Sequence, residues 1–214
     1  MKRGYAEIKL AGEDFYLLPQ RAIFRPALRQ LILSDLHLGK VSHFRKQGIA
    51  LPVNSYQKDF EKLNSLVHWW KPHSVLFLGD LFHSTYNREW LIFKSLLIEH
   101  QNVNFVLVEG NHDILQAHDY NIPNLFKTQV IDEGNFIFSH HPLNQQTGIN
   151  FCGHVHPGLQ LVGIARQSVK LPCFYFNGRE FILPAFGELT GLSILEQERG
   201  SEYYVIANGN VIKV

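Results

Sequence analysis

Cysteine is almost missing from this chain of 214 residues; Cys152 and Cys173 are the only two. Two cysteines cannot build a disulfide framework, and they suit a reducing compartment. Long apolar runs are missing too. None approaches the roughly 18 residues that a membrane-spanning helix requires, and the first residues, "MKRGYAEIKLAGEDF", lack the apolar core of a signal peptide. Secretion and membrane spanning are therefore unsupported, and a cytoplasmic location is expected. There is no tandem repeat, low-complexity tract or long polar linker, so one domain over residues 1–214 is expected. Net charge is lacking as well: at +1 the chain is no polycation.

The charge that is present is unevenly placed. Residues 1–60 carry ten of the twenty Lys and Arg residues but five of the nineteen acids. That asymmetry marks either a face for a polyanion or merely solvated loops and strand edges. Hydrophobic residues at 45% and charged residues at 18% describe an ordinary globular protein with a sizeable core.

The pattern begins with short strands, "AEIKL", "DFYLL", "RAIFR" and "QLILS", broken by turns. From Pro52 the period changes. Tyr56, Phe60, Leu63, Val67 and Trp70 recur at three and four, which predicts a helix running to "KPHS". "SVLFLGD" reads as a strand, "REWLIFKSLLIEH" as a largely apolar helix, and "VNFVLVEGNHD" as a further strand. After residue 128 strands dominate, from "NFIFSHHP" to "NVIKV". Strand and helix in alternation, followed by hairpins, predict an α/β core with a mixed or antiparallel second half.

Polar residues gather at the ends of those strands. Asp35 and His37, Asp80, Asn111 and His112, His140, and His154 and His156 each follow an apolar run. Ligands of open α/β sheets bind in the crevice past the strand ends. One such residue means little, because a lone histidine there is more often a hydrogen-bonded structural residue. Five sites in succession are a different matter. Carboxylates and imidazoles crowded together go unsatisfied without a cation among them. Carboxylate, imidazole and amide donors without thiolate suit Mn, Fe, Zn or Co. The spacing of a structural zinc site is absent. Seven candidate ligands exceed one site, whereas two ions sharing a carboxylate fit the count. Paired ions about 3.5–4 Å apart are a device for in-line phosphoryl displacement.

The blocks Asp35-Leu36-His37, Gly79-Asp80, Gly110-Asn111-His112-Asp113, His140 and Gly153-His154-Val155-His156 stand in the order D-x-H, GD, GNHD, H, GHxH. That order resembles the calcineurin-like metallophosphoesterases. Within them, "SDLHLGKVSHFRKQGIALP", "LGDLFHS", "GHVHPGLQL", "LPCFYF" and "LPAFGELTGL" resemble the bacterial ligase-associated DNA-damage-response endonucleases. Two positions depart from that pattern. His141 follows His140 where the family often has Glu, and Leu189-Thr190-Gly191-Leu192 stands where an aromatic residue often precedes "TGG".

The resemblance implies a four-layer αββα sandwich of two mixed β-sheets. It also implies a metal-dependent phosphodiesterase, with DNA as substrate in the repair of damage, and a DNA ligase and helicase of the same pathway as partners. Two divalent ions, Mn2+ foremost, would be divided between Asp35, His37, Asp80 and His156 on one side and Asp80, Asn111, His140 and His154 on the other. Asp80 would bridge, a hydroxide between the ions would attack phosphorus, and His112, not a ligand, would protonate the leaving alkoxide or stabilise the transition state. Asp113 is a candidate to orient His112, although adjacent side chains usually diverge. Lys40, His43 and Arg45 either steady a phosphate backbone or sit in a surface loop, and His83 reaches the cleft or does not. His141, next to a ligand in a predicted strand where neighbours point to opposite faces, is expected to lie behind the ligands or face solvent rather than hold an ion. Trp69, Trp70 and Trp90 read as core. A small-molecule phosphodiesterase, a phosphomonoesterase or a non-catalytic scaffold remain the alternatives.

Overall fold

The computed structural model describes residues 4–40, 57–83, 86–143, 147–163 and 167–214. The expected helix start at Pro52 and Tyr56, together with His43 and Arg45, lies outside those residues.

Four short strands open the chain as an antiparallel meander: β1 (Ala6–Leu10), β2 (Glu13–Leu18), β3 (Ala22–Arg25) and β4 (Gln30–Leu33). The direction of pairing then changes. From β4 the chain crosses through helix α1 (Gln57–Trp70) to β5 (Ser74–Leu78), and from there through α2 (Arg88–Glu99) to β6 (Asn104–Val108). A further strand, β7 (Leu125–Thr128), closes the edge, and β4 to β7 are parallel. The seven strands lie in chain order in one mixed sheet. Parallel strands need crossovers of this length, and helices supply them.

Both helices cover one face of that sheet, and the alternation of strand side chains shows how. Leu31, Leu33, Val75, Phe77, Phe105 and Leu107 point toward Phe60, Leu63, Val67, Trp90, Phe93 and Leu97 of the helices. The intervening residues Ile32, Leu76, Leu78 and Val108 point the other way, toward the second sheet. A strand buried on both faces needs apolar residues at every position, which is why "QLIL", "SVLFL" and "NFVLV" read as unbroken runs. Helix α2 starts on Asn87, whose side chain accepts from the Glu89 amide at 2.8 Å, an N-cap. The predicted face of α1 is also present: Phe60, Leu63 and Val67 are buried and Trp70 is partly so.

The second sheet is built from β8 (Ile131–Asp132), β9 (Phe136–Phe138), β10 (Ile149–Cys152), β11 (Pro157–Val162), β12 (Ser168–Phe176), β13 (Glu180–Ile182), β14 (Ser193–Ile194), β15 (Glu202–Ala207) and β16 (Asn210–Lys213). It is also mixed: β10 runs parallel to β9 and β13, whereas β12 pairs antiparallel with β11, β13 and β15. Phe138, Phe151, Phe174 and Phe181 face the first sheet. Phe15 of the first sheet stacks on Phe151 of the second at 5.0 Å between ring centroids, and Phe138 and Phe181 flank Phe151 at 5.4 and 5.1 Å. Offset aromatic stacks of this kind add to the burial that joins the sheets. The outer face of the second sheet carries its own cluster of Cys152, Leu159, Cys173, Tyr175, Tyr203 and Val205. Both cysteines are buried and free, as small core residues. Among the described residues, no helix is long and apolar enough to cross a membrane.

The arrangement is the expected sandwich of two mixed sheets. Its consequence for function is that β4, β5, β6, β9 and β10 end side by side along one rim of the interface.

Candidate metal centre

All five polar blocks emerge from those strand ends. Asp35 and His37 follow β4, Asp80 follows β5, Asn111 and His112 follow β6, His140 follows β9, and His154 and His156 follow β10. The loops after β4 and β5 stay bonded to one another. The amides of Asp35, His37 and Leu38 donate to the carbonyls of Gly79, Asp80 and Leu81 at 3.1, 2.9 and 3.0 Å. The His83 amide donates back to the Leu38 carbonyl at 2.7 Å. Parallel pairing therefore continues past the strands, although Asp35, His37 and Asp80 take left-handed backbone with φ of 53°, 50° and 50°. His154 and His156 do the same, at 65° and 53°. A non-glycine residue in that conformation costs on the order of 1–3 kcal/mol and persists where the surroundings fix it, typically at functional sites. The left-handed turns bring Asp35 and His37, two apart, to one buried place.

The side chains meet in two groups around Asp80. On one side, Asp35 Oδ1 lies 3.2 Å from His156 Nε2, His37 Nε2 lies 3.4 Å from the same nitrogen, and Asp80 Oδ2 lies 3.8 Å from His37 Nε2. On the other side, His140 Nε2 has Asn111 Oδ1 at 3.1 Å, His154 Nδ1 at 3.3 Å and Asp80 Oδ1 at 3.4 Å. The two oxygens of Asp80 face different groups. Asp35, His37, Asp80 and His140 are buried, whereas Asn111 and His154 are exposed at the mouth.

Protonation decides what these contacts are. His140 Nδ1 lies 2.9 Å from the Leu78 carbonyl, which can only accept, so that nitrogen donates. In the neutral ring Nε2 then carries a lone pair, and it faces two oxygens that are also acceptors. Burial, and then the charge of Lys40, push the His37 pKa down to about 2, so this ring is neutral near pH 7 and its contact with Asp80 is no ion pair. Burial also lowers His154. Asp35 Oδ1 is buried and receives no hydrogen bond among the described residues. Lone pairs turned on one another in a buried place call for positive charge. Carboxylate, imidazole and amide oxygen are the donors a divalent cation takes. The residues fit metal ions, and Asp35, His37 and His156 form one group able to hold a cation, as do Asp35, Asp80 and His140.

Two glycines make room for this packing. A Cβ on Gly79, whose φ is +79°, would fall 2.2 Å from His140 Nδ1, and one on Gly110 would fall 2.4 Å from the Asp80 amide and from Asp80 Oδ1. No side chain fits at either place.

The remaining predicted residues divide. His112 stands at the mouth, half-buried, with Nε2 4.0 Å from Asp80 Oδ2 and its amide donating to Asp80 Oδ1 at 3.0 Å. His83 does reach the cleft: its ring lies 4.1 Å from that of His112 and 5.1 Å from that of His37. Lys40 is partly buried beside His37, close enough to feel the charges of Asp35 and Asp80, and burial lowers its pKa. His141 is exposed to solvent, as expected, but strand alternation is not the reason. Strand β9 stops at Phe138, so the alternation that would turn His141 away does not apply. Its ring is exposed, lies 4.5 and 4.2 Å from those of His140 and His154, and forms with them a third group able to hold a cation. Of the tryptophans, only Trp90 is fully buried; Trp69 and Trp70 are partly exposed. Asp113 turns away from His112, and its carboxylate accepts from the amides of Gly110, Leu81 and Phe82.

Comparison with known proteins agrees with this geometry. The family described as calcineurin-like phosphoesterase matches residues 28–206. No curated protein matches the chain. Among solved structures, the nuclease MPE of Pseudomonas putida aligns with a TM-score of 0.83 and 27% identity, covering 98% of this chain and all of its own. Yfce, a phosphoesterase from E. coli, aligns with a TM-score of 0.43 and 15% identity, over 86% of this chain and 97% of its own. The match spans every strand end described above, and with it this chain belongs to the calcineurin-like phosphoesterase family, as a metal-dependent phosphoesterase.

Proposed function

We propose that the chain is a nuclease, hydrolysing phosphodiesters of DNA with two divalent cations. The observation that carries the two-ion reading is Asp80, whose Oδ1 faces His140 and whose Oδ2 faces His37. Asp35, His37, His156 and Asp80 would hold one ion; Asp80, Asn111, His140 and His154 would hold the other. Manganese is the proposed ion, since imidazole, carboxylate and amide donors are all acceptable to it. Bound there, the cations supply Lewis acidity toward water and toward the charge that develops on phosphoryl oxygens.

The chain's own groups do the rest. Leu78 fixes the His140 tautomer, so that Nε2 points inward with its lone pair. The zipped loops after β4 and β5 hold the Asp35 and Asp80 carboxylates at fixed separation, ahead of substrate. Such preorganisation removes a reorganisation cost from the reaction. His112 stands outside both ligand groups and beside Asp80, where it can hand a proton to the departing alkoxide. Lys40 and His83 would meet the phosphate from the β4 and β5 side.

DNA is favoured by three features. The full-length likeness at 27% identity is to a protein described as a nuclease. The first sixty residues hold half of the basic side chains. Among the described residues, Asn111, His141 and His154 are exposed at the mouth of the centre. A role in DNA damage response, beside a ligase and a helicase, rests on the family resemblance in sequence.

Two measurements test this. Elemental analysis of the purified chain should find two ions, with both reduced in Asp80→Asn and mainly one in His154→Ala. Full double occupancy in Asp80→Asn would remove the bridging role. Mn2+-loaded protein should cleave single-stranded or duplex DNA and bis-p-nitrophenyl phosphate. Cleavage of the small ester with no action on either DNA would replace the nuclease reading with a small-molecule phosphodiesterase.

A further inference from the structure

His37 Nε2 belongs to the ligand group, since it faces His156 and Asp80. In a neutral ring the proton must then sit on Nδ1. That nitrogen is buried and has no partner among the described residues. Thr190, after β13, is in the same situation: its side chain is buried and its Oγ1 is unpartnered. Both residues line one cavity of about 20 Å3, which Lys40, Asp59 and Glu89 also line.

A water molecule requires about 10–15 Å3 of such space and two to four polar partners. This cavity has the volume, and the residues that line it include an imidazole, a threonine and two acids. A buried donor left unmet costs about 1–3 kcal/mol. The segment that carries Thr190 is also rigidly placed. The amides of Phe186 and Gly187 donate to the Ser34 and Asp35 carbonyls at 2.9 and 3.1 Å, and the Thr190 amide donates to the Gly187 carbonyl at 3.3 Å. Arg21 Nη1 grips the Ala185 and Gly187 carbonyls at 3.2 and 3.3 Å. Thr190 is thus tied to the backbone of the very loop that bears His37.

We propose that one buried water links His37 Nδ1–H to Thr190 Oγ1, and that Thr190 is thereby a positioning residue for the metal-ligating face of His37. The water accepts from Nδ1 and donates to the threonine oxygen. The link keeps the proton on Nδ1, holds the ring plane, and leaves Nε2 free for the cation. Partners of this kind, one shell beyond a ligand, are worth about 10–100-fold in metal affinity. The inference deepens the two-ion reading and rests on it for its effect on affinity, but the tautomer of His37 can be read without any ion.

Thr190→Val removes the hydroxyl at nearly constant volume, and Thr190→Ser keeps it. Nitrogen-15 NMR of histidine-labelled protein, with the His37 signal assigned by its loss in His37→Gln, reads the tautomer. Titration with Mn2+ followed by electron paramagnetic resonance reads the two affinities. Wild type and Thr190→Ser should show the Nδ1–H form. Thr190→Val should show a mixture, and one of its two ions should bind about 10–100-fold more weakly. Should Thr190→Val fail to fold, as judged by its melting curve, Thr190→Ala takes its place in both measurements. An unchanged tautomer in the variant overturns the water link. A changed tautomer with unchanged affinities overturns the positioning role, as does an equal loss in Thr190→Ser. If wild type binds fewer than two ions, the two-ion reading fails, and the tautomer comparison alone decides the link.

Discussion

Asp113 reaches across to the Leu81 amide, accepting its hydrogen bond at 2.9 Å, and so fastens the loop of His112 to the loop of Asp80. The same carboxylate also accepts from Phe82 at 3.2 Å and from Gly110 at 2.8 Å. Burial pushes its pKa up to about 6, while the three amide bonds pull the other way. Its work is to hold backbone rather than to steer the imidazole beside it.

Removing that carboxylate should therefore cost fold before chemistry. Asp113→Ala strands buried amides at Leu81 and Phe82, each worth about 1–3 kcal/mol when left unmet. For a chain of this size, each kcal/mol lowers Tm by roughly 2–4 °C. Calorimetry of the ion-free protein should show the loss, and Asp113→Asn, which keeps an acceptor oxygen, should recover part of it. A melting temperature equal to that of wild type in Asp113→Ala would show that the two loops stand without this tie.

Gly110 offers a sharper steric test. Its Cβ would meet the Asp80 amide nitrogen and Oδ1 at 2.4 Å, far inside contact distance, and backbone cannot swing aside as a flexible side chain can. Gly110→Ala should lower both Tm and metal content, by way of a displaced Asp80. Gly191→Ala is the control: nothing lies within 4 Å of its added Cβ, so it should change stability by less than about 0.5 kcal/mol. Equal metal content in Gly110→Ala and wild type would mean that the Asp80 loop tolerates a shift.

The metal candidates were legible in the sequence because each sits directly after an unbroken apolar strand, and strand ends of an α/β sheet converge on one rim. Legibility failed where neighbours in space are distant in sequence, or where periodicity stopped early. His141 is exposed as expected, yet alternation does not place it, because β9 ends three residues before it. Strand β7 escaped notice because only Leu125 of "LFKT" is buried, leaving no apolar run to read. Thr190 carried no motif; its significance lies in lining the same cavity as His37, a relation that exists only in the folded chain.

The paired rings of His83 and His112 can be told apart by leaving group. General acid catalysis contributes about 10²–10⁴-fold, and only when the departing oxygen needs a proton. His112→Ala should keep its metals and lose most turnover on a substrate with an alkoxide leaving group. The loss should shrink for p-nitrophenolate, which departs unaided. His83→Ala, run in parallel, should show a defect independent of leaving group, because its ring lies beside His112 rather than beside Asp80. If the dependence appears in His83→Ala instead, the proton comes from that ring and His112 acts through charge or packing.

Lys40 offers a test of the proposed DNA substrate at the metal centre. It is partly buried beside His37, with Asp35 and Asp80 near enough to raise its pKa against the effect of burial. A lysine placed there can meet the phosphate next to the scissile bond once the carboxylates have taken up cations. Each phosphate contact releases counterions, which gives log K against log salt a slope of about −0.9 on duplex DNA and about −0.7 on single strands. Lys40→Gln should flatten the measured slope by about one such contact and weaken binding about equally across DNA sequences. Metal content, measured on the same samples, separates this from damage to the ligand cluster: a flattened slope with both ions retained assigns Lys40 to the phosphate. Parallel lines for wild type and variant would show that no DNA phosphate reaches Lys40, and that its charge acts on the ligand cluster alone.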